Sequence, residues 1–439
     1  MTGLRRSLGL LDATMVNVGV MIGSAVFLTA SDVARAVPSP LLQLSAWAVA
    51  ALFSLAGALI IAELGSALPE TGGLCVYLRE AFGPFWGFLY GWTLFAVIQT
   101  ASIAAVAVAF ASYLAHFLGF SPLQTQLAAA AAIAALTAVN VRGVREGVMT
   151  QNVATFAKLA VIAGLVALAF GGSGGTWSHL LRQPPAAAGF AVLGAALIGP
   201  LFAFDGWITL SYMAGEVKEP ARNLPLAALI SVALVTAVYL ALNAAYLFVL
   251  GPRGVAASGL VAADTARALL GARGADLAAG MVLVATFGGL NGNILGGARI
   301  LFAMAGDRVF WKAAGRVHPR FGTPAVALIA QAAVSAGFVF TGRFDQLLTS
   351  VLFASWLFYG MGGLAVFALR RRRDLRRPYR VRGYPVVPAL FVGFAAVLLA
   401  ATVASDPRDA AIGAGLLLTG LPAYAWFRSR ARSPAPFIP

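Results

Sequence analysis

The 439 residues are 60% hydrophobic and only 11% charged, with a mean hydropathy of +0.86. A soluble domain carries roughly 25% charged residues to cover its surface, so a soluble globular chain is excluded. The net charge of +15 could suit nucleic acid, but the basic residues lie in short segments between apolar runs, as membrane proteins place them to fix topology.

A helix crossing about 30 Å of hydrocarbon needs about 20 apolar residues. In chain order such runs fall near 12–34, 43–67, 85–115, 125–140, 152–171, 189–213, 225–250, 277–303, 324–341, 344–369, 385–404 and 410–427. This predicts an all-α, multi-pass membrane protein of about twelve transmembrane helices, with residues 1–439 as a single transmembrane domain. The alanine-rich run at 125–140 is the shortest of the series. Arg5 and Arg6 before the first run imitate a secretory or twin-arginine signal. Asp12 and Asn17 interrupt that run and no small-residue cleavage site follows, so it reads as a retained first span.

Twelve spans put both termini on one side. Arg35, Arg182, Arg253, Arg267, Arg273, Arg343 and Arg408 fall on the opposite side, and Lys158 falls inside a span. The remaining Lys and Arg, including eight arginines between Arg370 and Arg382, share the side of the termini. This excess predicts cytoplasmic N- and C-termini in a plasma (inner) membrane. Cys75 is the one cysteine, and His116, His179 and His318 are dispersed, so neither an intramolecular disulfide nor a zinc-type cluster is expected. No cofactor or metal is predicted.

The first span is interrupted by small residues at Gly19, Gly23, Ser24 and Ala25, and the sixth by Gly199, Pro200, Asp205 and Gly206. Glycine and proline weaken a helix by about 1 and 3 kcal/mol relative to alanine. Non-helical backbone at membrane depth survives only where it is buried or lines a cavity. Interrupted spans in corresponding positions point to a transporter's binding site at the interface of inverted repeats. A half-helix beginning at such a break offers free N–H groups to a carboxylate, and one ending there offers carbonyls to an ammonium, so the pair suits a zwitterion. The bland alternative is that small residues only permit close helix packing.

These segments resemble the amino acid–polyamine–organocation superfamily, and within it the L-type amino acid transporter-like branch. Gly19-Val20-Met21-Ile22-Gly23-Ser24-Ala25-Val26-Phe27 is similar to that family's G-x-x-I-G-S-G-I-F signature. Ala62-Glu63-Leu64-Gly65, Pro69-Glu70-Thr71-Gly72-Gly73 and Tyr77-Leu78 resemble its second span and following loop. Phe202-Ala203-Phe204-Asp205-Gly206-Trp207, Glu216-Val217-Lys218-Glu219-Pro220 and Arg222-Asn223-Leu224-Pro225 match its sixth span and exit. Asn291-Gly292, Arg299, His318-Pro319, Thr323-Pro324 and Trp356-Leu357-Phe358-Tyr359-Gly360 continue the likeness in order, so that it runs from residue 8 to about 385.

The resemblance implies a LeuT-type 5+5 inverted repeat, about 10–171 and 189–369, with two additional helices at about 385–427. It implies that a substrate carboxylate meets the N–H groups of Gly23, Ser24 and Ala25. The substrate amine would meet carbonyls around Ile22, Phe202 and Ala203, with Asp205 beside the second break at Phe204–Gly206. Phe202 aligns with an aromatic that closes over the substrate. Two residues depart from the pattern: Ala25 replaces a glycine, which restricts the backbone and adds a methyl group, and Cys75 stands in the G-G-x-Y stretch.

Lys158 lies in Phe156-Ala157-Lys158-Leu159-Ala160, apolar on both sides. It either snorkels to the interface or has a functional partner in the membrane. The resemblance implies the second, a structural brace standing in for the sodium ion of sodium-coupled relatives, and hence transport without sodium. Asp205 either attracts a cationic group or caps the second half of its span. Glu63 is expected to pair with a loop arginine. Asn291 either faces the site or ties helices together. The glycines at 288–292 follow no strand and precede no Lys-Ser/Thr, so nucleotide binding is excluded. An ion channel would want a continuous polar path, and an enzyme clustered catalytic groups; neither is seen. The expectation is an antiporter or facilitated carrier of small or medium neutral L-amino acids. Alternatives are proton-coupled uptake, or antiport of amines, polyamines or cationic amino acids; a protein partner is left unspecified.

Overall fold

A computed structural model describes residues 4–182, 190–341, 344–405 and 407–432. The start of the run predicted at 189–213 and Arg343 therefore lie outside the described residues. The described chain is helical: α1 (Leu10–Met21), α2 (Ala25–Ala36), α3 (Pro40–Ala67), α4 (Leu74–Phe82), α5 (Pro84–Leu118), α6 (Pro122–Arg142), α7 (Val144–Gly171), α8 (Ser178–Leu181) and α9 (Phe190–Phe204). There follow α10 (Thr209–Tyr212), α11 (Pro220–Ala257), α12 (Val261–Leu270), α13 (Arg273–Gly306), α14 (Ala325–Thr341), α15 (Phe344–Arg370), α16 (Val386–Ser405), α17 (Pro407–Leu418) and α18 (Gly420–Arg432).

Among the described residues nine helices are long and apolar enough to cross a membrane, or ten when α1 and α2, bent by 50° at their break, count as one. The expected twelve is reduced because the first and sixth runs are broken and α14, with 17 residues, is short. The alanine-rich run at 125–140 is a full helix of 21 residues. Ser121 caps it: its hydroxyl accepts from Gln124 N–H, the Gln124 side chain accepts from Ser121 N–H, and Pro122 opens the first turn. Ser39, whose hydroxyl accepts from Leu42 N–H, and Pro40 open α3. Two amphipathic helices between the spans, α4 and α12, have no counterpart in the hydropathy reading, since they are too short to register as apolar runs.

Among the described residues the loop contacts fall into two groups. Leu8 pairs with Val217, Glu63 with Arg370, Arg79 with Asp307, and Glu216 with Arg299, all on the side assigned to the termini. Arg35 donates to Ala256 and Ser258 carbonyls, and His116 meets Asp276, on the other side. Arg299 is not a loop charge: it sits inside α13, 1% exposed, in a two-pronged bond to Glu216, itself fully buried, at 2.9 and 3.0 Å. The expected Glu63 pair is with Arg370, at 2.8 and 2.6 Å, and Val381 N–H also donates to this carboxylate.

Candidate functional site

The two broken helices meet at their breaks. In the first, α1 ends at Met21 and α2 begins at Ala25, leaving Ile22, Gly23 and Ser24 outside either helix. Phe27 N–H returns to Ser24 O at 3.1 Å and Gly23 N–H to Met21 O at 2.9 Å. The N–H groups of Ser24, Ala25 and Val26 are left without a backbone acceptor, as the start of a helix dictates. In the second, α9 ends at Phe204 and a four-residue turn separates it from the short α10. Gly206 has φ 116°, and a Cβ there would lie 2.7 Å from Val20 Cγ1 and 3.1 Å from Met21 N. Only glycine serves both the positive φ and the approach of one break to the other.

A cavity of about 120 Å³ opens where the breaks touch. Val20, Met21, Gly23, Ser24 and Ala25 line it from the first break, and Phe202, Ala203, Asp205, Gly206, Ile208, Thr209 and Tyr212 from the second. Helix α5 adds Ile98, Gln99, Ser102 and Val106, α13 adds Asn293, and α15 adds Tyr359. A π-helical turn at Leu94–Ile98 immediately precedes Gln99, a distortion frequent at functional sites. Gln99 Nε2 donates to both the carbonyl and Oδ1 of Asn293, at 2.9 Å each, closing one wall.

Lys158 does not snorkel. It is 1% exposed, and its ammonium donates to Gly19 O at 2.8 Å, Ile22 O at 2.7 Å and Ala285 O at 3.0 Å. All three of its protons are spent, joining α7 to the end of α1 and to the middle of α13. Gly288, one turn along α13, leaves the room: a Cβ there would stand 3.0 Å from Lys158 Nζ. Tyr239 of α11 ties the breaks from behind, with its hydroxyl 2.7 Å from Met21 O and 2.9 Å from Ala203 O. Asn17 ties them below, donating to Trp207 O at 3.1 Å and accepting from Leu210 N–H at 2.9 Å.

Several sequence-predicted residues sit elsewhere than expected. Ile22 is buried behind the cavity with its carbonyl turned to Lys158, and Ala203, though on the wall, turns its carbonyl to Tyr239. Phe204 is fully buried against Trp47 and Tyr239, away from the cavity. Asn291 is turned from the site: it accepts from Asn140 and donates to Gly147 O and Gln151 Oε1, an interhelical tie. Asp205 is on the wall. One of its oxygens accepts from Gly206 N–H at 3.0 Å and from the Tyr359 hydroxyl at 2.8 Å, and α10 begins beyond reach of a side-chain cap from it. No ion pair among the described residues includes Asp205.

The cavity is shut toward the side of the N-terminus. Leu8, Val16, Leu210, Met213, Val217 and Leu295 form a buried apolar plug beneath it. Ser7 and Leu8 N–H groups bond to Glu216 O, and Lys218 N–H bonds to Leu8 O, at 2.9 to 3.0 Å. The cavity is lined by free N–H groups on one break and by a carboxylate on the other, a pairing that suits a small solute with two opposite charges. It holds no arrangement of nucleophile, base and oxyanion donors.

Known proteins agree in kind. The Amino acid permease family profile matches residues 8–424. The chain is 33% identical over 438 residues to the serine/threonine exchanger SteT of Bacillus subtilis, covering 98% of this chain and 99% of that one. It is 32% identical over 413 residues to the mouse b(0,+)-type amino acid transporter 1, covering 92% and 84%. It is 31% identical over 437 residues to the human large neutral amino acids transporter small subunit 2, covering 96% and 80%. The protein is a multi-pass membrane transporter of amino acids and not an enzyme. The chain belongs to the amino acid permease family.

Proposed function

We propose that the protein exchanges small or medium neutral L-amino acids across the plasma (inner) membrane without sodium, by alternating access. The carrying observation is the pairing of the two breaks around one small cavity, with Lys158 in a three-carbonyl seat beside it. The substrate carboxylate takes the N–H groups of Ser24 and Ala25, at the positive end of α2. The ammonium lies toward Asp205 and the carbonyl of Phe202, which also accepts from Asp205 N–H at 3.1 Å, and the Phe202 ring covers the outer side. A cavity of about 120 Å³ favours a short side chain, and Ser102, Gln99 and Thr209 on its wall give a hydroxyl-bearing one hydrogen-bond partners. SteT, named for serine and threonine exchange, supports the same choice.

Lys158 supplies a positive charge at the end of α1, which supports independence from sodium. The family supports a LeuT-type frame in which residues about 10–171 and 189–369 are inverted repeats followed by two further helices. The arginine excess supports cytoplasmic termini, and the shut side is then the cytoplasmic one.

Asp205 favours a second reading. A carboxylate on the cavity wall without a basic partner also suits a cationic side chain, giving dibasic amino acids or amines. The experiment is uptake into proteoliposomes loaded with single amino acids, with and without sodium and a proton gradient. Serine, threonine or alanine should drive exchange at equal rate in sodium and choline. Exchange of lysine or arginine alone would select the second reading, and exchange of no amino acid would refute both.

A further inference from the structure

A second concavity, far larger than the transport cavity, lies on the outside of the helical body. It encloses about 740 Å³ between α3, the first turns of α11 and the connection from α15 into α16. Its inner wall is apolar: Leu52 and Leu59 from α3 face Leu226 and Leu229 from α11. From Leu52 to Leu59 the wall climbs seven residues, about 10 Å at 1.5 Å per residue, and Leu52 remains 66% exposed.

One end of this apolar wall is basic. Arg222 and Arg382 both line the groove, at the end where the segment rich in arginine crosses it. Arg222 has only an exposed contact to Glu219 at 3.7 Å, and Arg382 has no carboxylate partner among the described residues. Two under-neutralised guanidiniums above a leucine-lined slot at membrane depth match a phosphate joined to an acyl chain. A zwitterionic headgroup would bring its own cation to the same two arginines, which favours a net negative one.

We propose that this groove binds an anionic glycerophospholipid, its phosphate on Arg222 and Arg382 and one acyl chain along the leucines. The lipid spans these three elements, of which α3 is already tied to the α15–α16 connection through Glu63, and it sits against the first turns of α11, directly after the segment that closes the transport cavity.

The test uses the full-length protein in detergent, by native mass spectrometry, with phosphatidylglycerol and phosphatidylcholine of identical chains. The wild type should retain phosphatidylglycerol about tenfold more strongly than phosphatidylcholine. The variant R222Q/R382Q should lose that preference, while R316Q/R320Q, exposed arginines elsewhere on the same side, should keep it. Glycerol phosphate, which has the charge without the chains, should not displace the lipid. Equal retention of the two lipids, an undiminished preference in R222Q/R382Q, or displacement by glycerol phosphate would each overturn the proposal. All the variants lie on the surface, and the readout needs no transport, so its failure leaves the exchange reading untouched.

Discussion

Replacing Lys158 by alanine removes three hydrogen bonds at once, and their acceptors are not equivalent. Ala285 O lies in the middle of α13 and keeps its helical partner. Gly19 O and Ile22 O are at the end of α1, where Gly23 N–H has turned to Met21 O instead, so Lys158 is their hydrogen-bond partner. Leaving a buried acceptor unsatisfied costs about 1 to 3 kcal/mol each. Relief of the ammonium's own desolvation offsets part of the total, and the net loss falls on the conformation in which the break is held open to substrate. At 1.4 kcal/mol per tenfold, a loss of about 2 to 4 kcal/mol slows exchange by roughly 30- to 1000-fold or weakens half-saturation to match. Counterflow of radiolabelled serine in proteoliposomes, with protein recovery matched, measures it. Lys158→Met, which restores volume without charge, should fail similarly. Wild-type rate and half-saturation in either variant would refute the brace.

Four further outcomes follow from the same geometry. Tyr239→Phe removes the hydroxyl shared by Met21 O and Ala203 O and should lower the exchange rate by about 1 kcal/mol, or about fivefold, with little change in melting temperature. Gly206→Ala should be destabilised by about 1 to 3 kcal/mol, read as a lower melting temperature in detergent, because its methyl group meets Val20 and its φ is strained. Glu216→Gln should cost about 3 to 5 kcal/mol by leaving Arg299 charged and unpaired, and the double change Glu216→Leu/Arg299→Met should recover much of it in the same melting assay. Asp205→Asn should keep exchange of neutral amino acids within a few-fold, and loss of that exchange would give the carboxylate a direct part in holding the ammonium.

What could be read in the sequence was whatever violates a helix or a hydrocarbon environment locally. Gly23, Pro200 and Gly206 weaken a helix wherever they stand, so both breaks were visible. Lys158 was visible because a charge in an apolar run demands a partner, though the identity of its three carbonyls depends on helices far apart in the chain. Asn291 and Asn293 show the limit. At about 100° per residue they point to nearly opposite faces of α13, and an all-round apolar helix gives no sign of which face looks inward. Asn293 is on the cavity wall and Asn291 is not. Tyr239, Tyr359 and Gln99 escaped because a polar side chain in a long helix has no local signature; their meaning comes from what α11, α15 and the π turn of α5 bring near. Carbonyl direction escaped for a related reason, since Ile22 and Ala203 stand near the breaks but their oxygens accept from the Lys158 and Tyr239 side chains.

The pairing of Leu8 with Val217 is made of main chain alone. The three bonds at 2.9 to 3.0 Å run between peptide groups that every non-proline residue possesses. Side-chain replacement at residues 7, 8, 216 or 218 therefore leaves them in place, and point mutation can reach them chiefly by putting proline at position 7, 8 or 218, where the N–H is needed. The apolar plug and the Glu216–Arg299 pair beside them have no such immunity. The closure is thus built in two grades of permanence: a peptide seam that descendants of this sequence inherit almost regardless of composition, and a side-chain layer over it whose strength substitution can retune.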